Sequence, residues 1–339
     1  MEILAATAYK DFDDFCQNHP HGAFQQSPNW GKVKKEWKNE IVVSRSKTGE
    51  IVGGVSVLIR KIGPFAMMYA PRGPVCDYTD TQVLSDLISG VQQLAKQYNA
   101  YKFICDPLVL AGDTQTIDTF KGCGLDIKLN AAFHDTIQPR YNYMLNYIKC
   151  LTEEELIKKF TSGTRYYIRF GPKNGVECRQ GIEYLDDFYR IYEETGKRKK
   201  FAIRAKSYLE GILTAFPDNA RLFMCYFEDK PLCGGIALQY AGTTSHVYGC
   251  STGEMRKLNP TYMMQWEMMK WALSANCHTY DMQGIAPDKE TDEELYNVYM
   301  FKAKFLGDVV ETAGEFTITF NKPVEKLIDF ALAVRSKLK

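Results

Sequence analysis

Charge of either sign is nearly absent in the sum: 42 lysines and arginines against 41 aspartates and glutamates leave a formal net charge of +1. That excludes a protein that holds nucleic acid or an anionic membrane over its whole surface, so any basic site is local. No apolar run reaches the length of a membrane-spanning helix. The opening MEILAATAYKDFDDF is too acidic and too short of apolar residues for a signal peptide, so a cytoplasmic protein without stable membrane insertion is expected. The ten cysteines stand singly at 16, 76, 105, 123, 150, 178, 225, 233, 250 and 277. No C-x-x-C pair and no histidine at metal-ligand spacing accompanies them, which argues for reduced, mostly buried thiols and against a bound metal. A GxxxxGK[ST] phosphate loop and a GxSxG nucleophile elbow are missing as well, and no cofactor is expected. The 339 residues, 45% hydrophobic, are material for two domains of ordinary size.

One stretch, 280–308, joins a buried strand end to a helix. Thr291 and Glu294 form a capping-box pattern, and the apolar side of the helix reads Leu295, Val298, Tyr299, Phe305, Leu306. Lys302 completes that series. A cation there either snorkels to an edge or faces something polar in a cleft. Near the N-terminus, a helix over 9–19 ends at Pro20, and Ser27-Pro28 opens a second helix with the stripe Trp30, Val33, Trp37. Lys34, four residues after Trp30, is a second lysine on an apolar stripe, with the same two readings. Residues 40–46 and 51–60 around Lys47-Thr48-Gly49-Glu50 read as a hairpin, 66–70 as a strand, 81–98 as a helix and 101–105 as a strand ending at Asp106.

The second half repeats this order. KTGEIVGGVSVLI matches EDKPLCGGIALQY, with Gly53-Gly54 and Gly234-Gly235 at an offset of 234 − 53 = 181. Tyr69 matches Tyr248, the helix 81–98 matches 261–275, and Asp106 matches Asp281. Two copies of one mixed α/β domain are expected: residues 1–149 with the C-terminal strand and helix 315–339 packed back onto them, and residues 150–314. Between the copies, Thr152 and Glu155 form another capping box, and Arg165, Arg169 and Lys173 fall on one helical side. KRKKFAIRAK follows a helix over 184–194. Runs of this kind are usually a solvated face; interleaved with Tyr166, Tyr167, Phe170 and Phe201, they could also hold a single-stranded nucleic-acid end. Arg204 and Tyr208, at i and i+4, are expected to share a helix face.

A duplicated domain of this strand and helix order resembles the GNAT acyltransferase superfold, but the [QR]xxGx[GA] turn that cradles CoA phosphates is absent from both copies. The pieces SPNWGKVKKEW, MYAPRGPVCD, AYKFICDP, HDTIQPRYNYML, IALQYAGTTSHVYGCS, MMQWEMMKWAL, YDMQGI and FKAKF, in this order, resemble the Fem family of peptidoglycan-bridge aminoacyltransferases, its FemX-type members most. That family has two GNAT-like domains; the helical-hairpin arm of its larger members has no counterpart here, since no long heptad pair occurs.

The resemblance implies transfer of an amino acid such as glycine, alanine or serine from aminoacyl-tRNA to the side-chain amine of the stem peptide, on UDP-MurNAc-pentapeptide or lipid II. It implies that Lys34 and Arg204 contact the nucleotide diphosphate, that Tyr101, Asp106, Tyr208 and Tyr248 line the precursor groove, and that Phe301 and Lys302 sit at the acyl-transfer point. Arg165, Arg169, Lys173, Lys197 and Lys199 are candidates for the tRNA. An aminoacyl ester is already activated, so alignment plus a fixed cation on the developing oxyanion supplies most of the chemistry. The proton of the attacking amine goes to Asp106, to Asp281 or to a substrate group; the sequence does not choose among them. Two other classes stay open: an acyl-CoA N-acyltransferase, and a non-catalytic protein that binds tRNA or the precursor.

Overall fold

The computed structural model describes residues 1–127, 136–199 and 201–337; His134 and Asp135 of HDTIQPRYNYML and Lys200 of the basic run lie outside them. The chain forms two compact units, 1–138 with 312–339 and 139–311.

In the first unit, β1 (Glu2–Ile3), β2 (Lys38–Arg45), β3 (Ile51–Ile62), β4 (Phe65–Ala70), β5 (Val75–Cys76), β6 (Ala100–Cys105) and β7 (Asp126–Ile127) join a strand from the far end of the chain, Phe316–Thr319. The order is β1-β2-β3-β4-β6, then Phe316–Thr319, then β7, with β5 also on β3. Among the described residues of this sheet only the β4–β6 pair is parallel, because a helix, Thr81–Tyr98, carries the chain between them. Helices α1 (Tyr9–Asn18), α2 (Pro28–Val33), α3 (Thr81–Tyr98) and α4 (Thr114–Gly122) complete this part. Asp80 caps α3 by accepting from Val83 N, and its buried side, Leu84, Leu87, Ile88, Val91 and Leu94, packs on Val42, Val55 and Phe103 of the sheet.

The second unit repeats the plan with β8 (Tyr141–Leu145), β9 (Val176–Gln180), β10 (Ala220–Phe227), β11 (Lys230–Tyr240), β12 (Thr243–Ser251), β13 (Thr279–Gly284) and β14 (Asp308–Glu311), in the order β14-β8-β13-β12-β11-β10-β9. Its helices are α5 (Glu153–Lys159), α6 (Ser162–Lys173), α7 (Leu185–Lys199), α8 (Lys206–Ala215), α9 (Pro260–Ser274) and α10 (Glu293–Lys302); β15 (Phe316–Thr319) and α11 (Lys322–Lys337) then return to the first unit. The longest helices here, α7 and α9, have 15 residues each, and no arm projects among the described residues. No helix among them is long and apolar enough to cross a membrane.

Several expectations shift. The changes of unit fall at 138/139 and 311/312, earlier than 149/150 and 314/315, because β8 pairs with β13 and β14. The glycine pairs are one step out of register. Gly53 faces α3 through Val83, whereas Gly234 faces α7 through Phe188, so by face Gly53 corresponds to Gly235, which abuts Met268 of α9. A Cβ at Gly53 would sit 2.5 Å from Val83 Cγ1, and one at Gly235 would sit 2.9 Å from Met268 Cε, so both glycines let a long helix lie close on the sheet. Helix α2 stops at Val33, which leaves Lys34 as its C-cap and Trp37 outside it. Helix α7 runs on to Lys199 and takes in the basic run.

Candidate active site

One difference in strand pairing separates the two units. In the first, β4 and β6 stay paired from Ala66↔Ala100 to Ala70↔Cys105. In the second, β12 and β13 pair only at Thr243↔Thr279, Thr244↔Tyr280 and Ser245↔Asp281, and then part. A bulge accompanies the parting. Ala237 faces His246 while Ile236 faces Tyr248, so Val247 is an extra residue in β12. The bulge inverts the alternation of side chains; without it His246 and Tyr248, two apart, would share one face. Instead His246 meets Gln265 of α9, and Tyr248 turns to the other face, 6.0 Å from the Tyr192 ring of α7 and 6.3 Å from the Tyr208 ring of α8.

On the α9 side a chain of hydrogen bonds fixes the imidazole. The Tyr280 hydroxyl donates to Gln265 Oε1 over 2.6 Å, which turns the amide Nε2 toward His246 Nδ1 at 3.0 Å. Nδ1 is therefore the acceptor, and the neutral ring carries its proton on Nε2. That nitrogen is buried without a hydrogen-bond partner; a Cβ at Gly235 or Gly249 would stand 2.9 or 2.7 Å from it, so the two glycines make room for the ring. Burial, and after it the Lys302 cation, lowers the His246 pKa from 6.5 to about 4.

Lys302 is the buried residue of α10. The helix is capped by Asp292, which accepts from Leu295 N, one residue later than the expected Thr291. Val298 and Leu306 of the expected stripe are exposed while Lys302 is only 7% exposed, so the lysine faces inward and does not snorkel. Its Nζ donates to the carbonyls of Gln283 at 3.0 Å and Gly284 at 2.8 Å, at the end of β13 that has parted from β12. Desolvation lowers its pKa from 10.5 to about 7, against the opposing pull of Asp281. The Asp281 carboxylate accepts from the backbone N and side-chain Nε2 of Gln283. A buried, desolvated amine thus stands where two parallel strands separate, a place suited to binding a developing negative charge.

The family model described as the FemAB family matches residues 7–230 and 226–332. The chain belongs to that family. It is 31% identical to the UDP-N-acetylmuramoylpentapeptide-lysine N(6)-alanyltransferase of Weissella viridescens, over 89% of this chain and 90% of that enzyme. It is 26% identical to the lipid II:glycine glycyltransferase of Staphylococcus epidermidis, over 94% of this chain and 92% of that enzyme. The crystal structure of FemX superposes with a TM-score of 0.88 at 25% identity, covering 97% of this chain and 100% of that one. The fold of this FemAB-family chain is accordingly the tandem GNAT-like one.

The residues picked from the sequence fall into separate neighbourhoods. In the second unit Arg204, Tyr208 and Tyr248 come together: the Arg204 guanidinium lies 5.6 Å from the Tyr208 ring centroid. Arg204 precedes α8, which begins at Lys206, so the pair shares no helix face; the contact comes from the extended approach to the helix. Burial and Tyr248 raise the Tyr208 pKa. Phe301 packs edge-on to Tyr262 at 5.1 Å. In the first unit, Lys34 Nζ lies 4.8 Å over the Trp30 ring. Tyr101 is buried at a register shift between β4 and β6, within electrostatic reach of Glu325 and Asp329 of α11, so it does not line an open groove. Asp106 accepts from the Tyr69 hydroxyl and from Arg72 N, both at 2.6 Å, and holds Arg72 in a left-handed turn at φ 57°. Its carboxylate is committed to that turn, where burial raises its pKa and Arg72 opposes the rise.

Of the basic candidates, Arg165 donates to the Phe160 carbonyl at 2.6 Å and Lys199 pairs with Glu294, whereas Arg169, Lys173 and Lys197 are exposed. His246, Gln265 and the Val247 bulge were not found from the sequence. The one available signal was TTSHVYGCS itself, a strand with a histidine and no consistent alternation.

Proposed function

We propose that this protein transfers an aminoacyl group from aminoacyl-tRNA to the side-chain amine of a peptidoglycan stem peptide, carried on UDP-MurNAc-pentapeptide or on lipid II, and works in building the interpeptide bridge. The observation that carries the reading is Lys302: a buried amine, its pKa near 7, anchored on two carbonyls where the parallel pair β12 and β13 opens. The named relatives, which act on these two precursors, and the lack of a CoA-phosphate turn support it.

The reaction asks for alignment and charge stabilisation. The stem-peptide amine attacks the ester carbonyl; the C–N bond forms, the ester C–O bond breaks, the ribose hydroxyl leaves with a proton, and the amine gives one up. Lys302 in its cationic form stabilises the tetrahedral oxyanion, and Phe301 beside it packs against the acyl-bearing end. Asp106 is set aside as proton acceptor because it closes a turn in the first unit; Asp281, held by Gln283 but acting through its charge on Lys302, is the acceptor proposed in the second. Arg204, Tyr208 and Tyr248 form one precursor-binding cluster, and Lys34 a second.

The deciding experiment is mass spectrometry of UDP-MurNAc-pentapeptide incubated with the protein and a mixture of aminoacyl-tRNAs. A mass gain of one aminoacyl residue supports the reading; no gain, together with micromolar binding of acetyl-CoA, replaces it with an acyl-CoA N-acyltransferase.

A further inference from the structure

Helix α6 buries Thr164, Ile168 and Gly171 and so turns its opposite side outward. Tyr166 is 57% and Tyr167 38% exposed, unusual for rings that could have been buried. They do not stand alone. Tyr166 lies 5.5 Å from Tyr167 and 5.4 Å from Phe170, Tyr167 lies 5.1 Å from Tyr262 of α9, and Tyr262 lies 5.1 Å from Phe301 of α10. The rings make a continuous track that begins on an exposed helix face and ends at the residue before Lys302. Beside its outer end is a shallow cleft of about 350 Å³ lined by Ser162, Arg165, Tyr166, Arg169, Phe170 and Lys173.

The track is held in fixed register with the acyl-transfer point. Thr164 of α6 donates through Oγ1 to the carbonyl of Lys304, two residues past Lys302, over 2.8 Å. Arg165 is anchored on the Phe160 carbonyl, so one cation of the cleft has a set position, and Arg169 and Lys173 stand one and two turns further along the same side.

We infer that this aromatic track seats the unpaired 3′ end of the RNA donor, its bases stacking on Tyr166 and Tyr167 and its phosphates lying along Arg165, Arg169 and Lys173, with the ester-bearing terminus led past Tyr262 to Phe301. The inference rests on aminoacyl-tRNA being the donor and names where it lies. Exposed rings flanked by cations are the combination that holds single-stranded nucleic acid, because every base has a face to stack and every nucleotide a phosphate to neutralise. A membrane is the weaker occupant: the exposed rings are hydroxylated and stand edge to face, the cleft beside them is lined by Arg165, Arg169 and Lys173, and the track leads toward Phe301, next to Lys302.

The test compares binding of two labelled RNA hairpins by fluorescence anisotropy, one with four unpaired 3′ nucleotides and one trimmed blunt, to the full chain and its variants. Tyr166→Ala and Tyr167→Ala are each expected to weaken the overhanging RNA by about tenfold through the loss of one stacked base, and to leave the blunt RNA unchanged. Tyr166→Phe, which keeps the ring, is expected to bind within about twofold of wild type by the same reasoning. Equal losses on both RNAs, or none on the overhang, overturn the inference, as does loss of binding to phosphatidylglycerol vesicles in Tyr166→Ala with RNA binding intact. Transfer from aminoacyl-tRNA by the wild type is measured alongside. If it occurs while the tyrosine variants bind the overhang normally, the track alone is wrong. If the wild type neither transfers nor binds either RNA, the donor assignment falls, and the track with it.

Discussion

Replacing Lys302 by methionine keeps the apolar stem and removes the charge, and its effects on activity and on the pH dependence of stability are read separately. Transfer is expected to fall by on the order of a hundredfold, the effect of losing one oxyanion-stabilising group. Stability changes through proton linkage. The folded-state pKa of about 7 lies below the ordinary value of 10.5, so between those pH values the unfolded chain binds more protons than the folded one, and the wild type gains stability as pH rises. The gap of about 3.5 at ~1.36 kcal/mol per pH unit sets a ceiling of about 5 kcal/mol for the cost of burying the charged amine, fully present below pH 7 and gone by about 10.5. Against this, the variant leaves the Gln283 and Gly284 carbonyls without their donor, roughly 1–3 kcal/mol each. The pH dependence isolates the charge: in urea titrations at pH 7, 8 and 9, the variant's stability relative to wild type is expected to drop by about 1 kcal/mol in the first step and about 1.3 kcal/mol in the second. Parallel stabilities across that range would refute a buried, charge-penalised lysine, and unchanged turnover would refute its catalytic role. In the free wild-type enzyme, the step that needs the cation is expected to lose rate as pH rises through about 7, which a pH profile of kcat/KM at saturating donor reads directly.

The remaining predictions use other parts of the molecule. Lys34→Met and Arg204→Met are each expected to raise KM for UDP-MurNAc-pentapeptide with little change in kcat, and to do less on a free stem peptide lacking the diphosphate; equal losses on both acceptors would assign them to packing. Gly249→Ala puts a Cβ 2.7 Å from His246 Nε2 and is expected to destabilise by about 1–3 kcal/mol through overpacking, with the loss reduced in Gly249→Ala/His246→Ala; an additive double variant would show that the ring and the glycine do not meet. Affinity for aminoacyl-tRNA is expected to fall with salt at a log–log slope of roughly −0.7 per neutralised single-strand phosphate, flattened by the triple change Arg169→Ala, Lys173→Ala, Lys197→Ala; slopes that stay parallel would make those charges a solvated face. Asp106→Asn puts an amide where Tyr69 and Arg72 N both donate and is expected to cost about 1–3 kcal/mol of stability, measured by urea unfolding, with less than additive loss when combined with Tyr69→Phe.

Local patterns that determine local structure were legible in the sequence. The Thr152–Glu155 capping box is present in full, helix α3 begins and ends where its apolar period does, and the repeated order of hairpin, strand, helix and strand reappears as two sheets of matching topology, because period and end-capping act within one element. Lys302 stood out in the sequence as a cation within an apolar series, and it is buried, although Val298 and Leu306 of that series are exposed. What the sequence could not contain was any choice made between elements. Gly53-Gly54 and Gly234-Gly235 look alike as text, yet they face their helices one step apart, since face is set by strand register. Asp106 and Asp281 occupy equivalent places in the repeat, but Asp106 closes a turn with Tyr69 and Arg72 while Asp281 is held by Gln283 and acts through its charge on Lys302. The Val247 bulge is the extreme case: one unpaired residue sends His246 to one face and Tyr248 to the other and accompanies the opening of one strand pair out of two. Its position follows from how β11, β12 and β13 settle against α7 and α9, so only the tertiary structure could decide which of the two copies opens its parallel strand pair.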